Sequence, residues 1–126
     1  VIRLIRKSED YGMLINIGSM FAHVIPFPIV GNVYAATKFG VRAFTEIVRQ
    51  ELIVSGDEKI RVSSISPGTI KTNVRVTAGW KDTEEFYRTR PHLDPKEVAA
   101  SVNYLLTTPY NVNVTELAIS PVGEKF

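Results

Sequence analysis

The sequence predicts an α/β fold built on a parallel sheet, and three stretches carry that expectation. Met13-Leu14-Ile15-Asn16-Ile17 is nearly continuous apolar sequence, as a parallel strand covered on both faces requires. Between about Val33 and Ser55 apolar residues recur at helical spacing, with Phe39, Ala43 and Ile47 on one row and Ala36, Phe44, Val48 and Leu52 nearby, up to a stop at Gly56. Ile60 to Ser66 then reads as a second strand, which Pro67-Gly68 ends abruptly. Strand, helix and strand in this order make a right-handed crossover unit with a parallel sheet.

The other elements follow in chain order. Residues 1 to 7 have the rhythm of a helix end, and Lys7 to Gly12 is a polar connector closing on a glycine suited to a turn. Gly18-Ser19 breaks the first strand and leaves Ser19 at its C-terminal edge. Residues 20 to 32 hold Pro26, Pro28, Gly31 and Asn32, so they are expected to form a loop able to wall a pocket. Residues 70 to 93 show little regular pattern beyond a short helix around Glu84 to Arg90. They carry Trp80, Phe86 and Tyr87, which suits a mobile lid on a substrate. Asp94 as cap and Pro95 at the first position open a helix that runs through Val98 to Leu106. Val112 to Ser120 alternates polar and apolar residues into a last strand, and Pro121 to Phe126 is a tail.

Composition excludes several classes. With 126 residues, 44% hydrophobic and 22% charged, the chain has the make-up of an ordinary globular domain and not of a disordered segment. The net charge of +2 is spread over scattered Lys and Arg, without the basic stripe that nucleic acid demands, so nucleic acid is not an expected partner. No apolar run approaches the roughly 20 residues of a spanning helix. Zero cysteines remove disulfides and thiolate metal sites, which fits a cytoplasmic protein, and His23 and His92 are too few and too far apart for a metal site. The chain opens in helical rhythm without an initiator Met, as expected of a piece of something longer.

The residues that carry chemistry are Ser19, Tyr34 and Lys38. Tyr34 and Lys38 stand four apart on a helix, so a phenol and an ammonium project from adjacent turns toward one spot. A free tyrosine, with a pKa of about 10, seldom exchanges a proton at neutral pH, and a fixed cation nearby favours the phenolate. A serine at a strand end can donate a hydrogen bond to a carbonyl oxygen while the tyrosine supplies the proton. Such a kit suits carbonyl and alcohol chemistry. By itself the spacing is weak, because five tyrosines in a basic-leaning chain will place a Tyr four residues before a Lys by accident. On that bland view Tyr34 is a half-buried helix residue, Lys38 a solvated charge and Ser19 a cap.

The order strand, Ser, loop, Tyr-x-x-x-Lys helix, strand, Pro-Gly resembles the C-terminal half of a short-chain dehydrogenase/reductase over essentially the whole chain. The phrases that carry it are Ile15-Asn16-Ile17-Gly18-Ser19-Met20, Tyr34-Ala35-Ala36-Thr37-Lys38, Thr45-Glu46 with Arg49-Gln50-Glu51-Leu52, and Ser64-Ile65-Ser66-Pro67-Gly68 ending at Thr72. Within the family it looks closest to the branch of farnesol dehydrogenases and dehydrogenase/reductase member 11. The resemblance implies a Rossmann-like doubly wound sheet, of which residues 1–126 would be the C-terminal part of a single domain. It implies that Ser19 orients the carbonyl, that Tyr34 is the acid/base, and that Lys38 holds the nicotinamide ribose and tunes the tyrosine. Pro67, Gly68, Ile70 and Thr72 match the loop at the nicotinamide and pyrophosphate end of the cofactor. NADP as cofactor, with NAD not excluded, rests on the resemblance. So do a small apolar alcohol or carbonyl substrate, such as a terpenoid alcohol or a steroid, and a homodimer or homotetramer through helix 33–55.

The chain also departs from the family pattern. Gly18 stands where this branch commonly has a polar residue, and Ala22 replaces the glycine frequent before His23, itself a packed loop residue on this view. Trp80, Phe86 and Tyr87 either greet an apolar substrate or pack beneath the lid. The Gly-x-x-x-Gly-x-Gly turn that lets backbone approach cofactor phosphates occurs nowhere among the eight glycines. The nucleotide-binding half of the site is therefore expected outside these residues, and this half alone would leave a sheet edge and an apolar face uncovered. The rival from another class is a silent, nucleotide-binding or scaffold protein on the same fold. A sugar-nucleotide epimerase, which also uses a Tyr-x-x-x-Lys pair, is disfavoured by the compact Pro67-Gly68 loop.

Overall fold

The computed structural model describes residues 1–8, 10–26 and 33–126. Helix α1 (Ile2–Ser8), strand β1 (Gly12–Ile17), a 3-10 turn (Met20–Ala22), helix α2 (Tyr34–Val54) and strand β2 (Ile60–Pro67) come first. The short helices α3 (Val74–Thr77) and α4 (Thr83–Thr89), helix α5 (Pro95–Thr107) and strand β3 (Glu116–Ile119) follow. The three strands form one parallel sheet in the order β1-β2-β3, so the expected α/β architecture is present.

Strand β2 sits between two neighbours and every one of its residues is buried. Its register pairs Ile17 with Ile65 on one side and Pro67 with Ile119 on the other, which brings the C-terminal ends of β1 and β2 to one edge. Ile60 and Val62 pack against Val48 and Leu52 of α2, and Ile2, Ile5 and Leu14 close that cluster. Helix α2 ends as its sequence dictates. Gly56 adopts φ +71, and the Asp57 and Gly56 amides return to the carbonyls of Leu52 and Ile53, the Schellman arrangement that satisfies a helix C-terminus. Helix α5 opens on a full capping box, in which the Asp94 carboxylate accepts the Lys96 amide and the Glu97 carboxylate accepts the Asp94 amide.

Two expectations need correction. The last strand begins at Glu116 and not at Val112, because the Asn113 side chain takes the place of a strand partner: its amide group accepts from the Val62 N–H at 2.8 Å and donates to the Val62 carbonyl at 2.9 Å. Residues 70 to 93 contain a second short helix, α3, which no periodicity announced. Its Arg75 guanidinium lies 3.9 Å from the Trp80 ring and 3.6 Å from the Phe86 ring, and it pairs with Asp82 at 2.8 Å. Of the expected loop 20–32, residues 27 to 32 lie outside the described residues.

Among the described residues β1 has no strand on its outer edge. Phe44, Ile47, Ile53 and Val54 of α2 are exposed. Away from the sheet's C-terminal edge, the Arg49 guanidinium and then the Gln50 amide push the Glu46 carboxyl down to about 2, and Arg6 holds that of Asp57 below its ordinary value.

The buried polar residues of β2 are used structurally. Ser63 donates to the Val114 carbonyl, and Arg61 Nη1 reaches the carbonyls of Leu105, Thr108 and Val112, gathering the end of α5 and the approach to β3. Replacing Arg61 by Met leaves the Thr108 and Val112 carbonyls without this donor at a partly buried site, while Leu105 keeps the Thr108 hydroxyl. Arg61→Met is expected to lower the unfolding free energy by about 2 kcal/mol, read from the urea midpoint at unchanged slope.

Candidate active site

The parallel register delivers one serine to the sheet's edge. The Gly18 amide continues the ladder by donating to the Ile65 carbonyl at 2.7 Å, and a side chain there would lie 3.2 Å from Ser66 Oγ and 3.3 Å from the Ile65 carbonyl. The close approach suits glycine. Ser19, next in the chain, is extended and caps the 3-10 turn, its Oγ accepting the Phe21 N–H at 3.1 Å. The capping role of the bland view is therefore real, and it leaves the hydroxyl proton available to donate.

Tyr34 is the first residue of α2 and is 43% exposed. Its ring meets Phe21 edge-on at 6.1 Å. Lys38, one turn on, is half-buried, with Nζ 3.5 Å from the Ile17 carbonyl at the end of β1 and 5.5 Å from the centre of the Tyr34 ring. The cation thus stands behind the tyrosine, between α2 and the strand that leads to Ser19.

Ser19 and Tyr34 border a cavity of about 600 Å³. Pro67, Gly68, Ile70 and Thr72 line the same cavity. Lys38 is not in the wall. The loop after β2 is fixed at several points: the Gly68 amide donates to the Ile119 carbonyl, the Lys71 amide to the Leu93 carbonyl and the Leu93 amide to the Thr69 carbonyl, and no partner for the Ile70 N–H is found among the described residues. That free donor beside the cavity fits the carboxamide end of a nicotinamide. Nothing in the chain offers the glycine-rich turn that its phosphates would need. Among the described residues no cluster of His, Cys, Asp or Glu could hold a metal ion.

Trp80, Phe86 and Tyr87 both line the cavity and take part in packing around it. Tyr87 is buried, and its hydroxyl lies 3.1 Å from the Ile70 carbonyl, 3.3 Å from that of Thr72 and 3.4 Å from the Thr72 amide, while Trp80 and Phe86 sandwich Arg75. His23 stays out of the cavity, with Nε2 3.0 Å from a Glu116 carboxylate oxygen that also accepts from Arg42. Sequence reasoning missed Arg75, Phe126 and Glu124 as parts of this wall. Glu124 and Phe126 join it through Thr69 and Phe21, far back in the chain, and Arg75 through the nearby rings of Trp80 and Phe86.

The "short chain dehydrogenase" family profile matches residues 1–82. The chain belongs to that family. As a short-chain dehydrogenase it is 40% identical over 122 residues to dehydrogenase/reductase SDR family member 11 of Bos taurus, a match covering 94% of this chain and 47% of the relative. It is 38% identical to farnesol dehydrogenase of Aedes aegypti, over 96% of this chain and 46% of that protein. A closed form of serine dehydrogenase complexed with NADP+ superposes with a TM-score of 0.82 at 32% identity, covering 99% of this chain and 51% of the other. The chain spans about half the length of the relatives it matches.

Tyr87 ties α4 to the loop after β2 in this short-chain dehydrogenase, so removing its hydroxyl should loosen both. Tyr87→Phe is expected to lower stability by about 1 kcal/mol in chemical denaturation and to speed amide exchange at Thr72.

Proposed function

We propose that this chain is the catalytic part of an NADP-dependent oxidoreductase that interconverts an alcohol and a carbonyl. The observation that carries the reading is the meeting of Ser19, Tyr34 and the Pro67–Thr72 loop around one cavity, with the Lys38 ammonium behind the tyrosine. Ser19 donates its free proton in a hydrogen bond to the substrate oxygen and holds it beside Tyr34. In the direction of reduction the Tyr34 hydroxyl gives its proton to that oxygen, and in the direction of oxidation the phenolate takes it back. Lys38 keeps a positive charge near the phenol through both states and holds the nicotinamide ribose. Pro67, Gly68, Ile70 and Thr72 bind the nicotinamide end, Ile70 through its free amide. The bound cofactor supplies or accepts the hydride.

The cofactor choice is supported by the NADP+ in the serine dehydrogenase structure. The phosphate-binding turn would come from sequence that the relatives carry outside the matched half, against the open edge of β1. Met20, Phe21, Trp80 and Phe86 give the cavity an apolar side, which supports a terpenoid alcohol such as farnesol, or a steroid, as substrate. The exposed Phe44 and Ile47 of α2 support pairing of two copies through that helix.

Tyr34→Phe in the full-length protein separates binding from chemistry. It should bind NADPH as the unsubstituted protein does and lose turnover by roughly a hundredfold or more. Undiminished turnover would remove Tyr34 from the reaction.

A further inference from the structure

The C-terminal segment folds back over the proposed cofactor loop instead of trailing as a tail. Gly123 takes φ +85, a conformation that favours glycine, and the Glu124 amide closes a turn onto the Pro121 carbonyl. The turn aims the Glu124 side chain into the loop after β2. Its Oε1 accepts the Thr69 N–H at 2.9 Å. Its Oε2 is buried, with no hydrogen-bond partner among the described residues, and a side chain added at Gly68 would put Cβ 2.0 Å from that oxygen. The glycine therefore leaves room for the carboxylate. Phe126 of the same segment meets Phe21 edge-on at 6.3 Å, and Phe21 in turn meets Tyr34.

We propose that Glu124 is a positioning residue that latches the Pro67–Thr72 loop in its cofactor-binding shape. The inference rests on the oxidoreductase reading above and deepens it. An amide donating to a carboxylate is among the stronger hydrogen bonds a loop can make, and this one fixes the peptide next to the free Ile70 amide. Tyr87 grips the same loop from α4, so Glu124 and Tyr87 hold it between them. A buried carboxylate oxygen without a donor is costly, and its retention is explained if the other oxygen is needed at Thr69. Glu124 does not touch the reacting atoms. It acts through the loop, which distinguishes it from Ser19 and Tyr34.

Glutamine keeps the acceptor that Thr69 uses, and alanine removes it. In the full-length protein, NADPH affinity is measured by fluorescence titration, and amide exchange at Thr69 is followed alongside that of Val62 and Ile65 in β2 as a check on folding. Glu124→Ala should bind NADPH about tenfold more weakly and lose protection at Thr69 while β2 stays protected. Glu124→Gln should restore both to within about twofold of the parent. Equal NADPH affinity in the alanine variant and the parent, or a glutamine variant as weak as alanine, overturns the latch. No NADPH binding by the unsubstituted protein overturns the oxidoreductase reading itself, and the proposal with it.

Discussion

Parallel pairing of β2 with a strand on each side is the constraint from which the rest follows. Because β1 and β2 run the same way with Ile17 opposite Ile65, the chain leaves both strands at the same edge. There it must turn, and the turns are Gly18-Ser19 and Pro67-Gly68. An open parallel sheet binds its ligands outside the carboxyl ends of its strands, so the register alone creates the place where a site can form. The crossover helix then begins at Tyr34 above that edge and brings Lys38 over the end of β1. A one-residue slip of β1 would turn its side chains to the opposite face and move Ser19 away from the cavity.

A fully buried central strand normally calls for apolar residues, and this one contains Arg61, Ser63, Ser64 and Ser66. Two of the four have a visible purpose. Arg61 collects carbonyls from the end of α5 and from the approach to β3, and Ser63 bonds the Val114 carbonyl. Together with Asn113 they fix the third strand with few backbone pairs, which explains how a strand of only four residues stays in register. Ser64 and Ser66 have buried hydroxyls near Gly18 without partners among the described residues, and nothing in the structure explains them.

Local rules carried much of this fold. Helix α2 and its stop at Gly56, the capped start of α5 at Asp94-Pro95, and the two longer strands are encoded within a few residues of where they occur, so periodicity and turn chemistry reveal them. Contacts between residues far apart in the chain remain hidden from such rules. The late start of β3 depends on an Asn113 side chain reaching a strand 51 residues earlier. The candidate site divides in the same way. Ser19, Tyr34, Lys38 and the Pro67-Gly68 turn stood out through their order, whereas Glu124 reaches Thr69 across 55 residues and offered no pattern to find.

The bland view of Ser19 as a cap and the chemical view of it as a donor turn out to be compatible, because its oxygen accepts one bond while its proton is left for another. The same economy runs through the proposed site, where the loop's backbone bonds leave the Ile70 amide without a partner among the described residues. What remains to be observed is the hydride transfer. The most direct measurement supplies the full-length protein with NADPH deuterated at the transferable position and an apolar carbonyl substrate, then examines the alcohol by mass spectrometry. The account predicts one deuterium on the carbinol carbon. An alcohol formed without deuterium, or no alcohol from a protein that binds NADPH, would contradict it.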